Sequence, residues 1–407
     1  MRVIYVDPGL RDNLGHHANS CRAIRRELER RGVAVAVFGL DSVIPELQDA
    51  LRAVPLFRAF TYWQRDNDPY CGWLNVFDRS ARITAEDMGR IQGMDANDLV
   101  YLNSAQPAQL MAFVNWFISI PAERRPHFVV EFGTDPGVDI LPAAKPNEIL
   151  INVRDYRQDP RAMFYRFAAS HLAASDLARF HMVTFDGISS QIYSHVLGKP
   201  VGVLPLPQFT RGTVISRAGH RPLTVSVLGH QRADKGFHLV PLIARLLLAQ
   251  EPDIRLLVHN GAPNEMPQPQ QELRTQADVQ TRLILNEQTA GAEMWDSLLS
   301  ASDLILCPYD PARFLASYSA VATEAVANGI PLVVPARTSL AVLLQRFGNP
   351  GTCFESWTAE SIVAATREAL ADFNALAERA AGAAAQWNAT MGVGNMVASL
   401  LAFQENY

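Results

Sequence analysis

Cysteine is scarce and scattered. The four in 407 residues, Cys21, Cys71, Cys307 and Cys353, form no CxxC pair. That argues against a zinc site or a disulfide framework and fits a reducing cytoplasm, with each thiol read as a small apolar core group. Long hydrophobic runs are also missing. No window of about 20 apolar residues occurs, so no transmembrane helix is expected and any membrane contact would be peripheral. The first apolar run, within Arg2–Val6, is too short for a secretion-signal core. Excess positive charge is absent as well: 36 Lys and Arg against 41 Asp and Glu give a net charge of −5. A nucleic-acid binder would need a basic, phosphate-neutralising surface, so no nucleic-acid partner is expected. Without a Walker A loop, a Gly-x-Ser-x-Gly or an HExxH, kinase, hydrolase and metalloprotease readings are weak. What is there is ample apolar matter, 48% hydrophobic against 19% charged. Such a chain buries large cores, and its length predicts two or three domains.

Strand and helix patterns alternate from the start. Arg2–Val6 reads as a strand, Ala18–Arg31 as a helix closed by Gly32, and Val33–Phe38 as the next strand. This βα rhythm predicts a parallel sheet covered by helices. Residues 40–95 give no clear pattern. Strands resume at Asp98–Leu102, Phe128–Phe132, His181–Phe185 and Val201–Leu204, with helices at Ala108–Ile118, Arg161–Ala174 and Ile188–Leu197. Pro205-Leu-Pro207 and Arg211-Gly-Thr mark a linker. The alternation then restarts at Leu223–Leu228 and runs to an Ala-rich helical tail, Thr358–Leu376 and Glu378–Phe403. Domains are therefore expected at 1–208 and 209–385, with 386–407 as a terminal helix returning to the first. In such sheets ligands bind beyond the carboxyl ends of the strands, which makes a cleft between the domains the default site.

Two segments carry the chemistry. In Thr224-Val-Ser-Val-Leu-Gly-His-Gln-Arg-Ala-Asp-Lys-Gly236 a strand enters a glycine turn bearing His230, Arg232 and Lys235 just before a helix. Cations and free helix amides there suit a diphosphate, and the alternative is a solvated loop flanking a helix start. In Ser317–Val334 one acid, Glu324, stands in an otherwise apolar helix. A lone carboxylate in that setting needs a partner, either ribose hydroxyls or a neighbouring structural donor.

At these segments the chain resembles the retaining, metal-independent glycosyltransferases of the GT-B fold that carry an E-x7-E motif. Gly229…Lys235-Gly236 matches that family's G-R-x-x-x-x-K-G turn in length, and Glu324-Ala-Val-Ala-Asn-Gly-Ile-Pro-Leu-Val-Val matches its E-A-x-A-x-G-x-P-V-V stretch. The resemblance implies two Rossmann-like α/β domains facing a cleft. It implies a nucleotide-diphosphate sugar as donor, a saccharide or other acceptor, and neither cofactor nor metal. By the same carry-over Lys235 and Arg232 grip the diphosphate, Glu324 holds the ribose, and backbone amides at Tyr318, Ser319 and Ala320 touch the phosphates. A glycine loop after the first strand, ending Gly15-His16-His17, would reach phosphates and acceptor.

Three positions depart from the family pattern. His230 stands where an arginine is usual, which shifts the cationic role to Arg232. Ala316 replaces the first glutamate of the motif. The stretch Val129-Val-Glu-Phe-Gly-Thr-Asp135 lacks the usual histidine. The rival readings follow from these departures. A sugar-nucleotide epimerase or inverting transferase of the same architecture would need a base such as Glu131, Asp135 or His16. A catalytically silent binding or scaffold protein would need none. His16 and His17 are not expected to hold a metal, since neighbouring side chains should point apart. Asp66-Asn-Asp68 reads as turn chemistry. Tyr62, Trp63, Tyr70 and Trp73 form either a core cluster or an acceptor groove.

Overall fold

The first strand is Val-Ile-Tyr-Val flanked by an arginine, and its last four residues are wholly buried. A continuous apolar strand of this kind must be covered on both faces, as in a parallel α/β sheet. The computed structural model describes residues 2–13, 16–62, 68, 71–142, 149–206, 222–315, 317 and 319–405. Two compact units divide it: Met1–Pro207 with Val393–Tyr407, and Gln208–Gly392. Among the described residues no helix is long and apolar enough to cross a membrane.

The first unit begins β1 (Arg2–Val6), α1 (His17–Arg30), β2 (Ala34–Leu40), α2 (Pro45–Leu51), β3 (Ala53–Phe57) and α3 (Gly72–Met88). It continues with β4 (Leu99–Leu102), α4 (Pro107–Ser119), β5 (His127–Glu131) and a hairpin of β6 (Val138–Pro142) and β7 (Ile149–Val153). Then come α5 (Arg161–Ser170), β8 (Phe180–Thr184), α6 (Gly187–Leu197) and β9 (Gly202–Val203). Its parallel sheet has the order β3-β2-β1-β4-β5-β8-β9. Chain direction across the sheet reverses between β1 and β4, and a ligand crevice opens at such a switch point.

The second unit repeats the scheme. It comprises β10 (Leu223–Val227), α7 (Val240–Gln250), β11 (Ile254–His259), α8 (Pro267–Ala277), β12 (Leu283–Asn286), α9 (Ala292–Ala301) and β13 (Leu304–Leu306). It ends with α10 (Ala320–Ala327), β14 (Leu332–Pro335), α11 (Ser339–Arg346), β15 (Gly351–Phe354), α12 (Ala359–Ala371) and α13 (Phe373–Thr390). The strand order is β12-β11-β10-β13-β14-β15, with its switch point between β10 and β13. Leu223, Val225 and Val227 of β10 pack with Ile243 and Leu247 of α7 and Ile362 of α12 in one core.

The last helix, α14 (Gly392–Glu405), belongs to the first unit. Met396, Val397, Leu400 and Leu401 form one buried stripe against Val3, Tyr5 and Leu99, and the Arg31 guanidinium donates to the Gly394 carbonyl at 2.7 Å. The tail expected as a single helix over Glu378–Phe403 is two. Met391 leaves helical geometry and Gly392 takes a φ of 80°, a break that an unbroken Ala-rich pattern conceals. The expected bound at residue 386 falls inside α13. In the stretch that gave no pattern, β3 is a short edge strand containing Pro55, and its register shifts against β2 at Gly39/Leu40. The linker's centre, residues 207–221, lies outside the described residues.

Candidate functional site

In the second unit β10 leads into Gly229 at the switch point. Its φ of 104° is a left-handed conformation that favours glycine, and an added Cβ would lie 3.2 Å from Val321 Cγ2 and 3.8 Å from Lys235 Nζ. The turn, the first turn of α10 and the Lys235 ammonium therefore meet at one point. Gly236, at φ 69°, is fixed more tightly: a Cβ there would fall 1.8 Å from the Pro308 carbonyl oxygen, which also accepts from Trp357 Nε1 at 2.9 Å. Lys235 Nζ sits 5.7 Å from the centre of the Tyr309 ring. Ser319 Oγ donates to Tyr309 at 3.4 Å and caps α10 by accepting from the Ala322 amide at 3.3 Å. The first amide bonded within α10 is that of Thr323, to Ser319 at 3.1 Å, so the Ala320 and Val321 amides precede the helical ladder.

Charge is unevenly matched here. His230 pairs with Glu265 at 2.8 Å and Arg232 with Asp234 at 3.1 Å, all on exposed or half-exposed side chains. Lys235 has no counter-ion among the described residues. Burial and the nearby Arg232 push its pKa down to about 8, opposed by Cys307 and Asp234. Glu324 projects from α10, and its Oε2 accepts from Trp295 Nε1. Burial raises its pKa to about 7 against the pull of that indole donor, with Asp296 adding to the rise. His259 joins the two ends. Its Nε2 donates to the Gln288 carbonyl at 2.9 Å and its Nδ1 accepts from the Gly229 amide at 3.3 Å, the bonds of a neutral imidazole. The same ring meets the Trp295 indole edge-on, 6.1 Å between centres.

The first unit gathers its polar groups at the same kind of place. Asp7 follows β1 and is fully buried. Its carboxylate accepts from His17 Nδ1 at 2.9 Å, Asn103 Nδ2 at 2.8 Å and the Gly9 amide at 2.8 Å. His17 opens α1, and its Nε2 lies 2.6 Å from the Tyr62 hydroxyl. Burial alone would lower the His17 pKa, but Asp7 outweighs it and the pKa rises. His16 lies beside it with Nε2 3.1 Å from Ser104 Oγ; burial and the neighbouring His17 bring its pKa down to about 4. The two rings stack at 4.2 Å, where the sequence suggested that they point apart, since His17 turns to Asp7 and His16 to Ser104, which follow the adjacent strands β1 and β4. Glu131 ends β5 and takes the Tyr101 hydroxyl. Burial pushes its pKa up to about 8 and Asp7 adds to this, against Tyr101, His17 and the Ser104 amide.

The second-unit residues singled out from the sequence thus share one locality: His230, Arg232 and Lys235 on the turn, and Ser319, Ala320 and Glu324 on α10. His16 and Glu131 both belong to the Asp7 neighbourhood of the first unit. Gly15, Ala316, Tyr318, Asp66, Trp63 and Tyr70 lie outside the described residues. Asp135 is an ion-pair node, held by Arg154 at 2.7 Å and Arg161 at 3.4 Å. Asp68 accepts from the Cys71 amide at 3.0 Å just ahead of α3, and Trp73 packs on the Phe77–Phe164 cluster. Sequence reasoning missed Asp7, Asn103, Tyr101, His259 and Trp295. Only Asp7, one residue past an apolar strand, carried a local signal.

No protein-family model and no curated protein matches this chain. Solved structures do. Sucrose-phosphate synthase from Thermosynechococcus elongatus is similar at TM-score 0.67 and 14% identity, covering 100% of this chain and 98% of that one. HepE from Anabaena, solved with UDP, is similar at TM-score 0.62 and 16% identity over 100% of both chains. A Listeria monocytogenes structure assigned as a UDP-N-acetylglucosamine 2-epimerase follows at TM-score 0.59 and 13% identity, covering 98% of this chain and 95% of that one. At such identities the likeness is one of fold: this chain has the GT-B fold of two parallel-sheet α/β units, with its C-terminal helix packed into the first.

Proposed function

We propose that this chain is a glycosyltransferase that takes a nucleotide-diphosphate sugar on its second unit. It passes the sugar to a saccharide or other acceptor, with retention and with no metal or further cofactor. The observation that carries this reading is Lys235, a cation without a counter-ion among the described residues, beside a glycine turn and the first amides of a helix start. Cleavage of the donor leaves negative charge on the departing diphosphate. A fixed ammonium and oriented amides stabilise that charge without reorganising, and Arg232 adds a second cation once drawn from Asp234. Glu324 offers its remaining carboxylate oxygen to the ribose hydroxyls while Trp295 holds the other. Retention rests on the family resemblance at residues 229–236 and 324–334. HepE, with UDP bound, supports the choice of ligand class.

A second reading has its own observation. The His17–Asp7 pair gives the first unit an acid–base group, as an epimerase or inverting transferase would need. Incubation with a panel of nucleotide sugars and saccharide acceptors separates the readings. Release of nucleoside diphosphate with a retained anomeric centre, followed by NMR, is the expected result. An inverted product, or an epimerised donor formed without acceptor, would instead establish the second reading. Nucleotide binding with no turnover would indicate a silent binding protein.

A further inference from the structure

A cavity of about 300 Å³ opens in the first unit between residues 58–62, the α3 helix and the start of α4. Its described lining includes two cations, Arg58 and Arg79, and no acid. Arg58 is already committed, to Asp87 at 2.7 Å and Glu86 at 2.9 Å. Arg79, exposed on α3, makes no ion pair among the described residues.

Two lining side chains are buried without full satisfaction. Gln109 is 1% exposed and Thr61 2%, and among the described residues neither Gln109 Oε1 nor Thr61 Oγ1 has a hydrogen-bond partner. Burying such groups is costly unless they are bonded, and both residues line the cavity. The start of α4 adds backbone donors. Pro107 has no N–H, and the first amide bonded within the helix is that of Leu110, to Gln106 at 3.0 Å. The amides of Ala108 and Gln109, both lining residues, therefore precede the ladder at the positive end of a 13-residue helix with no acid in its first turn. Phe60, Val76 and Ile83 supply an apolar wall suited to the C–H face of a ring.

We propose that this cavity binds a monosaccharide-sized polyol carrying one anionic group. Its hydroxyls meet Gln109 and Thr61, and its charge lies toward Arg79 and the α4 amides. The volume is at the lower end of small-ligand pockets, enough for one ring and one substituent. The cavity also touches Tyr62, the partner of His17, so its occupant neighbours the Asp7 network. The inference rests on the proposed function only in taking this occupant as the acceptor.

The test is calorimetric titration of the full chain, without donor. The probes are glucose 6-phosphate, myo-inositol 1-phosphate and gluconate, each beside its uncharged parent, with inorganic phosphate as a further arm. At least one charged polyol should bind about tenfold or more tighter than its parent and than inorganic phosphate. Arg79→Gln, an exposed substitution that spares the fold, should erase the preference for charge. Gln109→Leu should weaken the charged polyol by roughly tenfold and leave UDP affinity unchanged. Charged polyols that bind no better than their parents, or a preference that survives Arg79→Gln, would overturn the proposal. UDP binding separates this inference from the broader one. Polyol binding without UDP binding supports the cavity and counts against glycosyl transfer, whereas UDP binding with no charged polyol overturns the cavity alone.

Discussion

The polar clusters of the two units sit at equivalent places, the carboxyl edge beside a sheet's switch point, yet their bonding is balanced in opposite ways. In the first unit closure is confined to the Asp7–His17 centre: Asp7 is met by His17, Asn103 and Gly9, and His17 is closed off by Tyr62, while nearby Glu131 keeps Oε1 without a partner among the described residues. In the second, among the described residues, Lys235 has no counter-ion and Glu324 is bonded by Trp295 at one oxygen only. A network whose members satisfy one another fixes geometry, whereas one that leaves a cation and an oxygen open is completed by a ligand. The closed cluster should therefore answer to mutation mainly in stability, and the open one mainly in binding.

The largest effect tests the closed side. Asp7→Ala strands a buried imidazolium and should cost about 3–5 kcal/mol of stability in denaturant unfolding, while UDP affinity of the folded protein stays within about twofold. The pair also sets a pH slope. His17 has a raised pKa, so its contribution is full below the ordinary value of 6.5 and is lost as pH rises through the folded-state pKa. Asp7→Ala should remove that slope. A large loss of UDP binding with unchanged stability would break the comparison.

The next effect tests the open side. If Glu324 accepts from two ribose hydroxyls, a 2′-deoxynucleotide should bind about tenfold to a hundredfold more weakly, roughly 1–3 kcal/mol. The preference should grow as pH rises through about 7, where the carboxylate forms, and Glu324→Gln should blunt it. Equal binding of ribo- and deoxynucleotides would make the Trp295 bond the whole purpose of Glu324. The smallest effect is the pH dependence of UDP binding. Lys235 holds a proton only below about pH 8, so affinity should fall above that pH, by up to about tenfold per unit. Lys235→Arg should flatten the profile.

The open site was the more legible because its residues lie close together in the chain. A turn at residues 229–236 and a helix at 319–324 each present a local pattern, and both follow strands apolar enough to read unaided. The closed cluster is assembled from single residues brought together by separate elements: Asp7 after β1, His17 at the head of α1, Tyr62 after β3, Asn103 after β4. No window of sequence contains two of those strand ends, so His16 and Glu131 could be named while Asp7, on which His17 and Asn103 converge, could not. The same holds in the second unit for His259 and Trp295, which reach Gly229 and Glu324 from β11 and α9. Parallel sheet and helical tail followed from periodicity. The edge strand β3 did not, because Pro55 interrupts it within a stretch of no clear period, and the break at Met391-Gly392 did not, because the helical pattern runs through it unbroken.

The most direct measurement is a calorimetric titration of the wild-type chain and Lys235→Ala with a nucleoside diphosphate and its parent nucleoside, using the tightest of UDP, GDP and ADP. Loss of a charge-assisted bond at a half-buried site should weaken the diphosphate by about 1.5–3 kcal/mol, roughly tenfold to a hundredfold, and leave the nucleoside nearly unchanged. Equal weakening of both ligands in a folded variant, or no diphosphate binding by the wild type, would contradict the assignment of this turn as the diphosphate site.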